Sequence, residues 1–115
     1  FLSRGAKHVV MVEKSRFMAN TINDNINKIH NEKNFDIICC DVNKFLNMKF
    51  NQTKYDIIFA DPPYHSTDFY DLKKKINVQL IEQGIFCMEM YKTNIDDKTC
   101  DVRLYGRTQV VIWKK

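Results

Sequence analysis

The stretch Tyr55-Asp56-Ile57-Ile58-Phe59-Ala60-Asp61-Pro62-Pro63-Tyr64 decides the fold. Its first six residues are mainly apolar, aromatic and β-branched, which is typical of a short buried strand. The two prolines that follow fix φ near −65° and remove two amide donors, so the chain leaves the strand in a rigid turn. The sequence therefore predicts a strand over 55–60 that ends in a turn over 61–64.

Strand-like and helix-like segments alternate on both sides of this stretch. The predicted strands cover residues 8–12, 35–40, 55–60, 85–91, 101–104 and 109–113, and the predicted helices follow Ser15, follow Asp41 and cover 69–82, where Gly84 supplies the stop. Such alternation predicts right-handed βαβ units in an α/β fold. We expect a mostly parallel sheet, with an antiparallel C-terminal hairpin around the turn at 105–108.

Length and composition limit the class of protein. With 115 residues and a net charge of +4, the chain is predicted to be one domain over 1–115, and an anionic partner is permitted without being required. No apolar run approaches the ~20 residues of a membrane span. The four cysteines form no CxxC pair, and three lie in apolar strand-like runs, which predicts buried, reduced thiols in a cytoplasmic protein. The three histidines share no ligand spacing, so no metal site is expected.

Acidic side chains stand where three predicted strands end. Glu13, Asp41 and Asp61 each follow an apolar run. In open α/β sheets ligands bind outside the carboxyl ends of the strands, so these carboxylates are predicted to line a ligand site. Glu13 suits the two hydroxyls of a ribose, and Asp41 suits an exocyclic amine such as that of adenine, with Val42 beside the ring. For Asp41 taken alone, a helix cap explains the residue equally well.

The turn over 61–64 offers hydrogen-bond acceptors and no donors at its prolines. The Asp61 carboxylate and the Pro62 carbonyl together match a planar NH2 group, which has two donors to place. Accepting both hydrogen bonds frees the nitrogen lone pair from conjugation and makes the amine a nucleophile. Tyr64 supplies a flat face on which the base that carries the amine could stack. The alternative is an ordinary proline turn that closes a strand.

Several motifs together resemble one family. Asp61-Pro62-Pro63-Tyr64 after an apolar strand resembles the fourth motif of the S-adenosylmethionine-dependent amino-group methyltransferases. Leu2-Ser3-Arg4-Gly5-Ala6, the strand ending in Val12-Glu13-Lys14, and Tyr105-Gly106-Arg107-Thr108 narrow the resemblance to the RsmD-type 16S ribosomal-RNA guanine-N2 methyltransferases. The resemblance covers nearly the whole chain.

The resemblance implies a fold, a cofactor and a set of site residues. The fold would be a Rossmann-like class I methyltransferase sheet, and the cofactor would be S-adenosylmethionine. Glu13, Lys14, Asp41, Val42 and Asp61 would bind this cofactor, and Asp61, Pro62, Pro63 and Tyr64 would hold the amino group of the target guanine. The implied partner is small-subunit ribosomal RNA, either naked or assembled with ribosomal proteins. The protein would act as a monomer in the cytoplasm, without a metal or a membrane.

The sequence departs from the family pattern at its start. The first strand and the glycine-rich loop, which should precede Leu2, are absent, so we expect a partial domain that lacks its N-terminal portion. Alternatives remain: a DNA adenine-N6 methyltransferase, a protein glutamine methyltransferase, or a non-catalytic Rossmann-like RNA-binding remnant. Two groups of basic residues have two possible roles, as phosphate contacts or as solvated charges. They are the lysine run over 73–75 and the group Arg103, Arg107, Lys114 and Lys115.

Overall fold

The computed structural model describes residues 1–29, 34–48, 53–63 and 68–115. The chain divides into two compact units, residues 1–51 and 52–115, and each unit contains its own sheet. The predicted α/β class is confirmed. The prediction that 1–115 forms a single domain stays a prediction.

The first unit is a parallel strand pair with its connecting helix. A short 3-10 turn over Leu2–Arg4 precedes strand β1 (Val9–Glu13), helix α1 (Arg16–Ile29), strand β2 (Phe35–Cys39) and helix α2 (Val42–Leu46). Strands β1 and β2 pair in parallel, from Val9 opposite Phe35 to Glu13 opposite Cys39. The Ser15 hydroxyl accepts a hydrogen bond from the Met18 N–H at 3.3 Å, which confirms the predicted cap of α1.

The second unit is a four-stranded mixed sheet with one helix. It contains β3 (Tyr55–Ala60), α3 (Phe69–Asn77), β4 (Leu80–Tyr91), β5 (Cys100–Tyr105) and β6 (Thr108–Lys114). The strand order is β3-β4-β6-β5, in which β3 and β4 are parallel and the other two pairings are antiparallel. Over the described ranges of both units together, two strand pairings are parallel and two are antiparallel, and the predicted hairpin is confirmed.

The core of the second unit lies between α3 and one face of this sheet. Phe69 on α3 stacks against Phe86 on β4, with ring centroids 5.9 Å apart. The remaining buried apolar side chains come from the same helix face and sheet face: Leu72, Ile76, Leu80, Met88 and Val111. Burial of these side chains is the main favourable contribution to folding of the unit.

The predicted helix over 69–82 is wrong in its second half. Helix α3 ends at Asn77, and β4 already begins at Leu80. Leu80 continues the four-residue spacing of Leu72 and Ile76, so periodicity alone could not tell a further helical turn from a buried strand residue. The strand prevails because Leu80 pairs with Tyr55, whose N–H also donates to the Gln79 carbonyl at 2.8 Å.

Gly84 does not end a helix, because it lies inside β4. A Cβ added there would lie 2.9 Å from the Ile81 carbonyl oxygen and 3.2 Å from the Asp56 carbonyl oxygen, so only glycine fits this close backbone approach. The left-handed conformation falls one residue earlier, at Gln83, with φ of 67°. Glycine is suited both to a close backbone approach and to a left-handed conformation. Here the first occurs at Gly84 and the second at Gln83.

The prediction of buried thiols is wrong for Cys39, which is exposed at the end of β2. Cys40, Cys87 and Cys100 are half-buried, and all four cysteines are free. Partial burial raises the pKa of the Cys87 and Cys100 thiols, which favours their protonated form.

We expect Gly84→Ala to lower the free energy of unfolding by about 1–3 kcal/mol, because the new methyl group must displace backbone. Gln83→Gly should leave stability unchanged or raise it, because it relieves a left-handed conformation that disfavours side chains. Urea unfolding of both variants measures the difference. A neutral Gly84→Ala together with a destabilising Gln83→Gly would contradict this assignment.

Candidate functional site

In the first unit, the predicted ligand residues lie together at one edge of the sheet. Glu13 is the last residue of β1 and stands opposite Cys39, the last residue of β2. Asp41 and Val42 follow two and three residues after Cys39, and Lys14 follows Glu13. The parallel pairing therefore brings Glu13, Lys14, Asp41 and Val42 to the carboxyl ends of the two strands.

The Glu13 carboxylate is held at one oxygen. The Ser15 N–H donates a hydrogen bond to Oε1 at 2.7 Å, while Oε2 makes no hydrogen bond within the described ranges. This contact fixes the direction of the side chain just beyond the strand. The arrangement leaves one ionised acceptor oxygen for a hydroxyl group of a ligand.

Asp41 is the N-cap of α2. Its Oδ1 accepts from the Asn43 N–H at 2.9 Å and the Lys44 N–H at 3.3 Å, and its Oδ2 lies 3.8 Å from Lys14 Nζ. The cap accounts for one oxygen of this residue without any ligand. A ligand amine would meet Oδ2, where it would compete with the exposed Lys14 ammonium.

In the second unit, the Asp-Pro-Pro turn directly follows β3. Asp61 and Pro63 are exposed and Pro62 is half-buried, and the Asp61 carboxylate makes no hydrogen bond or ion pair to the described part of the chain. An exposed, unpaired carboxylate beside two prolines is a site that can only accept hydrogen bonds. Tyr64, the predicted stacking residue, lies outside the described residues.

The segment after β4 emerges at the same edge of this sheet. β3 and β4 are parallel, with Ala60 opposite Met88, so residues 92–99 follow β4 on the side where Asp61 follows β3. The Lys92 N–H also donates to the Arg107 carbonyl at 3.0 Å, which brings the turn between β5 and β6 to this edge.

A salt bridge ties the segment 92–99 to α3. Lys73 Nζ donates to Asp97 Oδ2 at 2.6 Å and lies 4.3 Å from the centroid of the Trp113 ring. Both charged side chains are only 18% exposed. The Lys73 ammonium, with hydrogen bonds from Thr99, holds the pKa of the Asp97 carboxyl well below its usual range. The sequence contains no signal for this pair, because Lys73 stands in a run of three lysines.

The structure separates the basic residues that are neighbours in sequence. Arg107 lies at the turn on the Asp61 edge, whereas Lys114 pairs with Ile85 at the opposite end of β4. The Lys115 ammonium donates to the Asn77 and Leu80 carbonyls and therefore serves the fold. Arg103 is paired with Asp101 at 3.1 Å. In the run over 73–75, both Lys73 and Lys75 form ion pairs with aspartates.

Among the residues that the structure describes, no group of three or more His, Cys, Asp or Glu side chains is placed to hold a metal ion. Over the same residues, no helix is both long enough and apolar enough to cross a membrane.

Solved structures of other proteins share this fold. A conserved hypothetical protein of Streptococcus pyogenes matches with a TM-score of 0.87 at 25% identity, covering 99% of this chain and 75% of that one. The Escherichia coli protein yhhF, assigned as a methyltransferase, gives 0.82 at 17% identity, covering 99% of this chain and 66% of that one. A third protein, assigned as a methyltransferase and complexed with SAH, matches with a TM-score of 0.78 at 17% identity. That match covers 96% of this chain and 40% of that one. The chain therefore spans only part of the length of these proteins.

The fold is that of the class I methyltransferases. The family model described as Conserved hypothetical protein 95 matches residues 1–114, so the chain belongs to this family, which is the RsmD family. The resemblance drawn from the motifs is thereby confirmed. A comparison with curated proteins found no match.

We expect Asp97→Asn to lower the thermal unfolding midpoint at neutral pH, because it removes the charge that Lys73 faces. The contribution of a carboxyl with a depressed pKa is complete above its unfolded-state pKa, ~3.9, and is lost as the pH falls toward its folded-state pKa. The difference from wild type should therefore be constant above about pH 5 and narrow below about pH 4.

Asp71→Asn is the matched control, because Asp71 forms an exposed ion pair with Lys75 on α3. Such surface pairs contribute little. Equal midpoints for the two variants across the whole pH range would show that the Lys73–Asp97 pair does not anchor the segment 92–99.

Proposed function

We propose that this chain belongs to the methyl-transfer domain of an S-adenosylmethionine-dependent RNA methyltransferase that methylates the exocyclic N2 of a guanine in 16S ribosomal RNA. The observation that supports this proposal most is the Asp-Pro-Pro turn. Its carboxylate is exposed at the carboxyl end of a parallel strand and is unpaired among the described residues, within a chain of the RsmD family. The cytoplasmic location, the monomeric state and the use of naked or assembled RNA are further predictions of the same proposal.

The residues of the first unit fit S-adenosylmethionine by their chemistry. The Oε2 of Glu13 can accept from a ribose hydroxyl, and the edge that carries Asp41 and Val42 offers an acceptor next to an apolar side chain. When bound, S-adenosylmethionine supplies an electrophilic methyl group on a positively charged sulfur. Lys14 would lie at the rim of this site.

Asp61 and the Pro62 carbonyl are proposed to orient the target amine. They accept its two N–H bonds, which aligns the nitrogen lone pair and stabilises the positive charge that develops on the nitrogen. The alkylated nitrogen is acidic, so its proton can pass to solvent without a strong base. Tyr64 is proposed to stack on the guanine, which must leave its helical stack to reach the turn.

Transfer of a labelled methyl group by the intact protein to small-subunit RNA, followed by nucleoside analysis, tests the proposal. We expect N2-methylguanosine. Formation of N6-methyladenine in DNA or of methylglutamine in protein would overturn the substrate assignment. RNA binding without any methyl transfer would favour the non-catalytic alternative.

Asp61→Ala should slow methyl transfer by roughly 10²–10³-fold, the range for removing one group that stabilises developing charge. S-adenosylmethionine affinity should stay within about tenfold of wild type, because the carboxylate acts mainly on the target amine. Asp61→Asn retains one acceptor oxygen, so its rate of methyl transfer should fall between the rates of wild type and Asp61→Ala.

The control for Asp61→Ala is Asp24→Ala, which removes an exposed carboxylate from α1. Single-turnover rates and calorimetry separate transfer from donor binding. Near-native turnover by Asp61→Ala would refute the assigned role.

Glu13→Ala should weaken S-adenosylmethionine binding by about 1.5–3 kcal/mol, the range for hydrogen bonds to a charged group. Glu13→Gln can keep an oxygen at the Ser15 N–H but replaces the charged second oxygen with an NH2 group. It should therefore lose most of the same affinity while local structure is kept, which separates ligand binding from local structure. Calorimetry measures both affinities, and RNA affinity should stay unchanged. Equal S-adenosylmethionine affinity in wild type and Glu13→Ala would exclude the ribose role.

A further inference from the structure

A second concave site lies in the second unit, away from the Asp-Pro-Pro turn. The segment that follows β4 and the edge of the sheet formed by β5 and β6 line an open cavity of about 590 Å³. This volume falls within the range of small-molecule sites, about 300–1,000 Å³. Its lining includes Lys92, Thr93, Asn94, Val102, Leu104 and Gln109.

The floor of the cavity is apolar and accessible. Val102 and Leu104 lie on the same face of β5, and they are 37% and 56% exposed. Branched aliphatic side chains that remain this exposed on an edge strand can bind a flat apolar ring. Lys92 at the rim is exposed and forms no ion pair with any residue that the structure describes.

Gln109 contributes a buried side-chain amide. The side chain is 1% exposed, and its Oε1 accepts from the Thr93 N–H at 3.2 Å. Because an N–H must meet an oxygen, this contact fixes which end of the amide is Nε2. Nε2 has no hydrogen-bond partner in the described part of the chain. A buried donor without a partner is unfavourable by about 1–3 kcal/mol, and an acceptor on a ligand would remove that penalty.

The lining matches the chemistry of a nucleotide. An apolar floor accommodates a base, an amide donor matches a base carbonyl, and an unpaired ammonium matches a phosphate. Nε2 is itself buried, so contact with a base would require a shift of the surrounding chain, which includes Thr93. The Thr93–Gln109 hydrogen bond is the contact given up in that shift.

The cavity lies on the same sheet as the Asp-Pro-Pro turn. In the order β3-β4-β6-β5, the strands β6 and β5 are two and three positions from β3, which corresponds to roughly 10–14 Å across the sheet. The segment after β4 and the turn after β3 emerge at the same edge. An RNA strand that presents one base to Asp61 therefore passes within reach of this cavity.

We infer that this cavity binds a nucleotide that flanks the target guanine in the RNA substrate, with Val102 and Leu104 under the base, Lys92 at the phosphate and Gln109 Nε2 at a base carbonyl. The inference rests on the proposed function for the identity of the RNA. It adds a specificity site that acts on RNA binding and leaves the transfer step to the Asp-Pro-Pro turn.

The test compares matched substitutions at the two ends of the sheet in the intact protein. Lys92→Gln and Leu104→Ser alter the cavity, whereas Lys114→Gln and Val78→Ser remove a similar charge and a similar exposed apolar side chain at the opposite end. Binding of a fluorescent oligouridine is measured by anisotropy. The cavity variants should each raise its Kd by roughly 5–20-fold, within the range for loss of one base or phosphate contact, and the controls should match wild type.

Kinetics and crosslinking complete the test. Both cavity variants should raise KM for small-subunit RNA, with kcat and S-adenosylmethionine affinity unchanged. An oligonucleotide containing 4-thiouridine should crosslink to residues 92–95 or 102–104. Crosslinks confined to other segments, or cavity variants that behave like the controls, would overturn the inference. If the cavity variants show these binding effects while the wild-type protein methylates no guanine, the proposed function alone is refuted.

Discussion

Strand β4 is paired on both sides, in parallel with β3 and antiparallel with β6, and the second unit depends on this double pairing. The parallel side sends the chain out of β3 and β4 at the same edge, which is why the Asp-Pro-Pro turn and the start of the segment 92–99 lie at one edge of the sheet. The antiparallel side brings the β5–β6 turn to that edge as well. Gly84 permits this arrangement because the backbone of β4 approaches the Asp56 carbonyl too closely for any side chain.

Much of the architecture follows from local signals in the sequence. The bounds of β3 and the start of α2 at Asp41 are as predicted, because an apolar run that ends in two prolines and an aspartate that caps a helix are local effects. The end of α3 is decided by pairing with Tyr55, 25 residues away, which no local pattern contains. The Lys73–Asp97 bridge and the amide of Gln109 likewise arise from contacts between distant segments.

The candidate site was predicted to different extents in its two parts. The gathering of Glu13, Lys14, Asp41 and Val42 at one edge follows from the rule for parallel strands, and the structure of the first unit shows it. The hydrogen bond from Ser15 to Glu13 and the approach of Lys14 to Asp41 could not be predicted, because they depend on side-chain directions beyond the strand ends. The roles of these residues in binding and of Asp61 to Tyr64 in transfer remain proposals.

The turn between β5 and β6 contains two residues, with Tyr105 opposite Thr108 and Gly106 at a φ of 60°. A turn this short sets the alignment of every later pair, and neighbouring strand residues point to opposite faces. One inserted residue would turn Val102 and Leu104 away from Gln109 and bring Asp101 and Arg103 to their place. A length polymorphism at this turn would therefore exchange an apolar surface for a charged one without altering any side chain that forms it.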